Sequence, residues 1–122
     1  MLEEDSALLW DMLNSGRELQ QFLKGRRFTD LETDRMFRLA VEREIEIIGI
    51  AASKLSAGFR EAYPEIPLHR IIAQRNVIAH EYGDIQLDRI WRVATERVPD
   101  LIRLLEPLIP PAPEEPGSPS SA

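Results

Sequence analysis

The 122-residue chain carries no cysteine, two histidines and a formal net charge of -6. Its length suits one domain that folds without staples, and the missing cysteines exclude a disulfide scaffold, a thiolate metal site and a cysteine nucleophile, while His69 and His80 alone argue against a structural zinc site. The acidic balance argues against a broad nonspecific grip on nucleic-acid phosphates but leaves room for a local basic site.

Read in order, Met1-Leu2-Glu3-Glu4-Asp5 is acidic where a secretory signal would be basic, and no apolar run approaches the roughly 18 residues of a membrane span. The expectation is a cytoplasmic protein with no membrane partner. Leu8, Leu9, Met12, Leu13, Leu19, Phe22 and Leu23 recur at near-helical intervals and predict a first helix over about Asp5 to Leu23. Asp5 or Ser6 is its expected N-cap and Gly25 its stop, with Gly16 an internal cost of about 1 kcal/mol relative to alanine. Thr29-Asp30-Leu31-Glu32 offers a capping-box pattern.

From Asp34 onward Met36, Phe37, Ala40, Val41, Ile45, Ile47, Ile48, Ile50, Ala51, Ala52 and Leu55 predict a long helix buried on more than one side. Arg43 and Glu46, three apart, either pair locally or point into a shared polar pocket. A short helix over Ser56 to Tyr63 is expected to end at Pro64. Pro64-Glu65-Ile66-Pro67 then makes a stiff connection, with Pro67 suited to the first turn of the next helix. After Gly83, Asp84 can open a last helix in which Pro99 predicts a kink or break and two helical pieces. The boundary of the folded domain falls at residues 1–108, and the proline-rich segment 109–122 is expected to be disordered or polyproline-like. No alternation of period two appears, so the fold class is all-α, a bundle of four to five helices.

The chemistry concentrates in Arg75-Asn76-Val77-Ile78-Ala79-His80-Glu81-Tyr82. On one helix Asn76 and His80 share a face, and Arg75 and Tyr82, seven apart, share the neighbouring one. His80 titrates in the range useful for a base or acid, Arg75 offers phosphate a planar charged fork, and Asn76 could orient the imidazole or donate to phosphate. The bland alternatives are a helix-capping histidine, a structural ion-pair arginine and a tyrosine whose ring merely packs.

This string resembles the Rx4HxY motif of HEPN-domain proteins, specifically the HepT-like toxins encoded beside a minimal nucleotidyltransferase (MNT) antitoxin. The resemblance extends to Arg43-Glu44-Ile45-Glu46-Ile47-Ile48-Gly49, to Tyr63-Pro64-Glu65-Ile66-Pro67 and to Leu101 after Val98-Pro99-Asp100, covering about residues 5–106. It departs at Ile50, where an acidic residue is usual, at Leu68, where an aromatic is frequent, and at His69, where a permanently charged basic residue is common. The resemblance implies a HEPN-like, two-fold symmetric homodimer with RNA as substrate. It implies a metal-independent endoribonuclease that needs no cofactor, with Arg75, His80 and Asn76 catalytic and Arg43 and Glu46 as supporting polar residues. It further implies neutralisation by the MNT partner, through AMPylation of Tyr82, complex formation, or both. A noncatalytic HEPN module that binds a nucleotide or a partner nucleotidyltransferase is the alternative. A purely structural helical dimer would leave the motif residues as coincidence.

Overall fold

The computed structural model describes residues 1–79 and 86–109, apart from the side chains of residues 75–79. Regular structure among these residues is helical throughout. It comprises α1 (Glu3–Leu23), α2 (Phe28–Thr33), α3 (Arg35–Ser53), α4 (Ala57–Ala62), α5 (Leu68–Ala79), α6 (Leu87–Arg92) and α7 (Val98–Leu105). A π-helical segment, Val93–Arg97, joins α6 to α7, and a 3-10 turn, Glu106–Leu108, follows. Because α2 and α4 are short and α6 continues through the π segment into α7, the long members are α1, α3, α5 and this composite rod. The all-α bundle expected from the sequence is therefore present. No helix among the described residues is long and apolar enough to cross a membrane.

The bundle is built around α3. Phe37, Val41, Ile45, Ile48, Ala51 and Ala52 recur at helical spacing and are all almost fully buried. α1 packs on α3 through a face that includes the buried Leu9, Met12, Leu13 and Leu19, and α5 also packs on α3. Burying one such side chain is worth about 1.5–3 kcal/mol, so the cost of about 1 kcal/mol for Gly49 in mid-helix is outweighed by its neighbours. Met36 and Leu39, by contrast, are 82% and 49% exposed.

Helix ends are fixed by side chains that periodicity does not reveal. The Asp34 carboxylate accepts from the Phe37 N–H at 3.1 Å and caps α3. That backbone bond, reinforced by Arg26, holds its carboxyl below the usual range. At the other end Arg60 donates to the carbonyls of Ala52, Ser53 and Leu55, each at 3.3 Å, satisfying groups that the last turn of α3 leaves open. Gly25 follows α1 at φ +72, the left-handed conformation expected of a helix stop.

Several local expectations are corrected. Asp5 is not a cap, because α1 already starts at Glu3 and the Ser6 N–H reaches the Leu2 carbonyl at 3.1 Å. Asp5 is instead 3% exposed, and its two oxygens accept from the Ser56 N–H at 3.0 Å and the Ser56 hydroxyl at 2.6 Å. Ser56 in turn accepts from Phe59 N–H at 3.1 Å and caps α4, so Gly58 lies inside α4. The capping pattern near Thr29 is displaced: α2 starts at Phe28, and the Asp30 carboxylate accepts the Arg27 N–H at 2.7 Å.

Near Pro99 the two helical pieces expected from the sequence are found as α6 and α7, joined by the π segment rather than separated by a break. Proline lacks the N–H for a bond to the residue 95 carbonyl, and its ring crowds that carbonyl. The chain answers by widening the preceding turn, with Val98 N–H bonding to the Val93 carbonyl, while the flanking backbone stays right-handed helical. Asp84 lies outside the described residues, as does the tail from residue 110. Ile109, expected to belong to that tail, packs against the core with Leu108.

Two interfaces generate stability predictions. At the crossing of α1 and α7, a Cβ on Gly16 would stand 3.1 Å from two atoms of Ile102 and 3.4 Å from Val98. Gly16→Val should destabilise the protein by about 1–3 kcal/mol through overpacking. Gly58→Ala, where only Ser56 Oγ approaches at 3.8 Å, should be neutral or stabilising by up to about 1 kcal/mol. Urea denaturation of both variants compares them.

Between α3 and α1, Glu44 is 5% exposed, and its Oε2 has no hydrogen-bond partner among the described residues. Burial pushes its carboxyl up to about 7, with Glu18 adding to the rise and Arg43 and the Ser15 hydroxyl opposing it. Between the ordinary 4.5 and about 7 the native state holds a proton that the unfolded chain has released. Stability contributed by this group is therefore present below that window and lost as pH rises through it. Glu44→Gln should flatten this dependence and raise stability above neutral pH by on the order of 1–3 kcal/mol. Thermal unfolding at acidic and mildly alkaline pH measures the difference.

Candidate active site

The helix that carries the motif is positioned by its first two turns. Leu68 and Ile71 are 5% and 4% exposed and Ile72 is half-buried, while His69, Arg70 and Ala73 face solvent. This stripe docks α5 on α3. The approach is fixed as well. Ile66 is buried in the middle of the proline connection, the Tyr63 ring lies 4.8 Å from that of Phe59, and the Pro67 carbonyl accepts from Ile71 N–H at 3.0 Å. A helix anchored this way can hold polar groups in defined directions at little entropic cost.

Arg75 and Asn76 lie on the helical backbone of α5, which runs unbroken to Ala79. Their side chains lie outside the described residues, and so do His80 and Tyr82. The helical half of the motif is therefore where the sequence put it.

Arg43 and Glu46 pair with each other at 3.5 Å on the surface of α3, with side chains 63% and 40% exposed. Of the two expectations for them, local pairing is the one found. Arg43 also lines an opening of about 180 Å³ between α1 and α3, together with Leu8, Asp11, Ile50 and Lys54. The half-buried Ile50 thus contributes apolar wall where the resembled proteins usually have a carboxylate.

Basic residues gather somewhere the linear sequence did not indicate. Arg26, in the basic run Lys24-Gly25-Arg26-Arg27, is engaged by Asp34 at 3.2 Å and lies 4.7 Å over the Phe37 ring. Arg70 instead shares a groove between α5 and the rod with Arg89, Arg92 and Arg97. These three were legible as one helical face, three and eight residues apart, but only the docking of α6 beside α5 brings them to Arg70. Among the described residues no group of three or more His, Asp or Glu side chains could hold a metal ion.

The Ribonuclease HepT-like family model matches residues 12–108, from the middle of α1 to the 3-10 turn. "Putative RNase MJ1380" of Methanocaldococcus jannaschii is 32% identical over 100 residues, covering 82% of this chain and 92% of that protein. "Probable ribonuclease HepT" of Thermococcus cleftensis is 28% identical over 93 residues, covering 76% and 84%. No solved structure matches the chain. The match covers the bundle from the middle of α1 onward with the motif inside it, and the chain belongs to the HepT-like ribonuclease family of HEPN proteins.

Proposed function

We propose that the protein is a HepT-like toxin, a metal-independent endoribonuclease whose chemistry is carried by Arg75, His80 and Asn76 and which acts as a homodimer in the cytoplasm. The observation that supports this reading most is the family match over a bundle whose core-anchored α5 carries Arg75 and Asn76 up to the residue before His80. RNA cleavage requires a base for the 2′-hydroxyl proton, a cation for charge growing on the phosphate and an acid for the departing 5′-oxygen. The imidazole of His80 acts as base or acid at neutral pH. The Arg75 guanidinium binds the non-bridging oxygens, and the Asn76 amide orients the imidazole or donates to phosphate. One chain supplies a single motif histidine, so a two-fold partner would provide the second proton-transfer group.

Tyr82, two residues beyond His80, is the proposed acceptor of AMP from an MNT antitoxin, which would block the RNA site by bulk and negative charge. The Arg43–Glu46 pair on α3 would play at most a supporting part. A noncatalytic module that binds a nucleotide or a nucleotidyltransferase is the second reading, favoured by the net charge of -6 and the apolar Ile50.

His80→Ala should lower cleavage of total RNA by about 10²–10⁴-fold, the usual contribution of a general acid or base. Equal cleavage by the variant would remove His80 from the chemistry, and no cleavage by a folded, unmodified wild-type dimer would favour the noncatalytic module. Incubation with ATP and a cognate nucleotidyltransferase should add the mass of one AMP to the wild type and none to Tyr82→Phe. An adduct that persists in Tyr82→Phe would place the modification elsewhere.

A further inference from the structure

The groove between α5 and the rod has a volume of about 310 Å³ and is lined by Arg70, Ala73, Gln74, Arg89, Arg92, Val93 and Arg97. Four guanidinium groups in one groove are a local reversal of charge in a chain whose net charge is -6. Arg70, Arg89 and Arg92 are exposed and Arg97 is half-buried. Arg92 pairs with Glu96 at 3.8 Å, an exposed contact of little strength, and the ion pairs among the described residues do not include Arg70, Arg89 or Arg97.

We propose that this groove is a phosphate-binding track that holds the RNA backbone beside the motif. From Arg89 to Arg97 the rod rises on the order of 10 Å, somewhat less than eight α-helical steps because Val93–Arg97 is π-helical. That length exceeds the duplex rise of about 3.4 Å per nucleotide several-fold, enough for more than one phosphate of a strand. Guanidinium forks match phosphate oxygens two at a time. Among the described residues the lining contains no aromatic side chain on which a base could stack, so these residues grip backbone without reading sequence. Chain connectivity brings it to the motif: Gln74 in its wall directly precedes Arg75, and α5 and α6, which pack on each other, are joined through the segment that contains His80 and Tyr82. The nature of the polymer rests on the ribonuclease reading above, whereas the groove itself does not depend on His80.

The test uses protein carrying His80→Ala, so that RNA stays intact, and follows the binding of a short fluorescent single-stranded RNA by anisotropy across a salt series. Adding Arg89→Ala and Arg97→Ala should weaken binding and reduce the slope of log affinity against log salt by about 1.4, at about 0.7 per lost phosphate contact. Arg89→Lys with Arg97→Lys keeps the charge and should keep the slope. Arg17→Ala, an exposed arginine on α1, should leave it unchanged. An unaltered slope and affinity in the double alanine variant would overturn the proposal. So would an equal loss at Arg17, which would mean diffuse attraction. Loss of nucleotidyltransferase association with RNA binding intact would make the groove a protein-docking site and overturn it as well. Cleavage that survives His80→Ala would count against the catalytic assignment alone, because the salt slope is read independently of turnover.

Discussion

α3 is a helix that must bury two sides at once, and the rest of the bundle follows from that requirement. α1 covers one side and α5 another, and both ends of α3 are tied by side chains, Asp34 at the start and Arg60 at the finish. The first two turns of the motif helix are therefore positioned by apolar packing. Leu68 and Ile71 anchor α5 through contacts worth a few kcal/mol together.

The same economy appears where polar groups are buried. The Asp5 carboxylate joins the first turn of α1 to the cap of α4, fifty-one residues away, and is fully used by Ser56. Glu44 on α3 is buried against α1 with one oxygen unpartnered, so its charge opposes the packing that surrounds it. For Glu44 burial, with Glu18 beside it, outweighs the opposing Arg43 and Ser15.

Charge is also divided between whole and part. An overall negative protein repels polyanions at long range, which disfavours indiscriminate binding. A short arginine-lined groove acts mainly within about 8 Å, the screening length at physiological salt. For a ribonuclease of this family, the proposed track would concentrate attraction at one edge of α5.

The sequence by itself determined the helical class, the approximate span of α1 and α3, the stop at Gly25 and the placement of Arg75 and Asn76 on a helix, because apolar periodicity and glycine conformation are local properties. Tertiary structure decided what local rules cannot reach. Asp5 reads as a cap until Ser56 arrives from far along the chain. Pro99 reads as a break until a widened turn removes the clash, and Gly16 reads as a defect until Ile102 packs against it. Arg70 stands next to His69 in the sequence, but its electrostatic neighbours are Arg89, Arg92 and Arg97 on another helix. Charges act through space, and only the docking of α6 on α5 sets which of them meet.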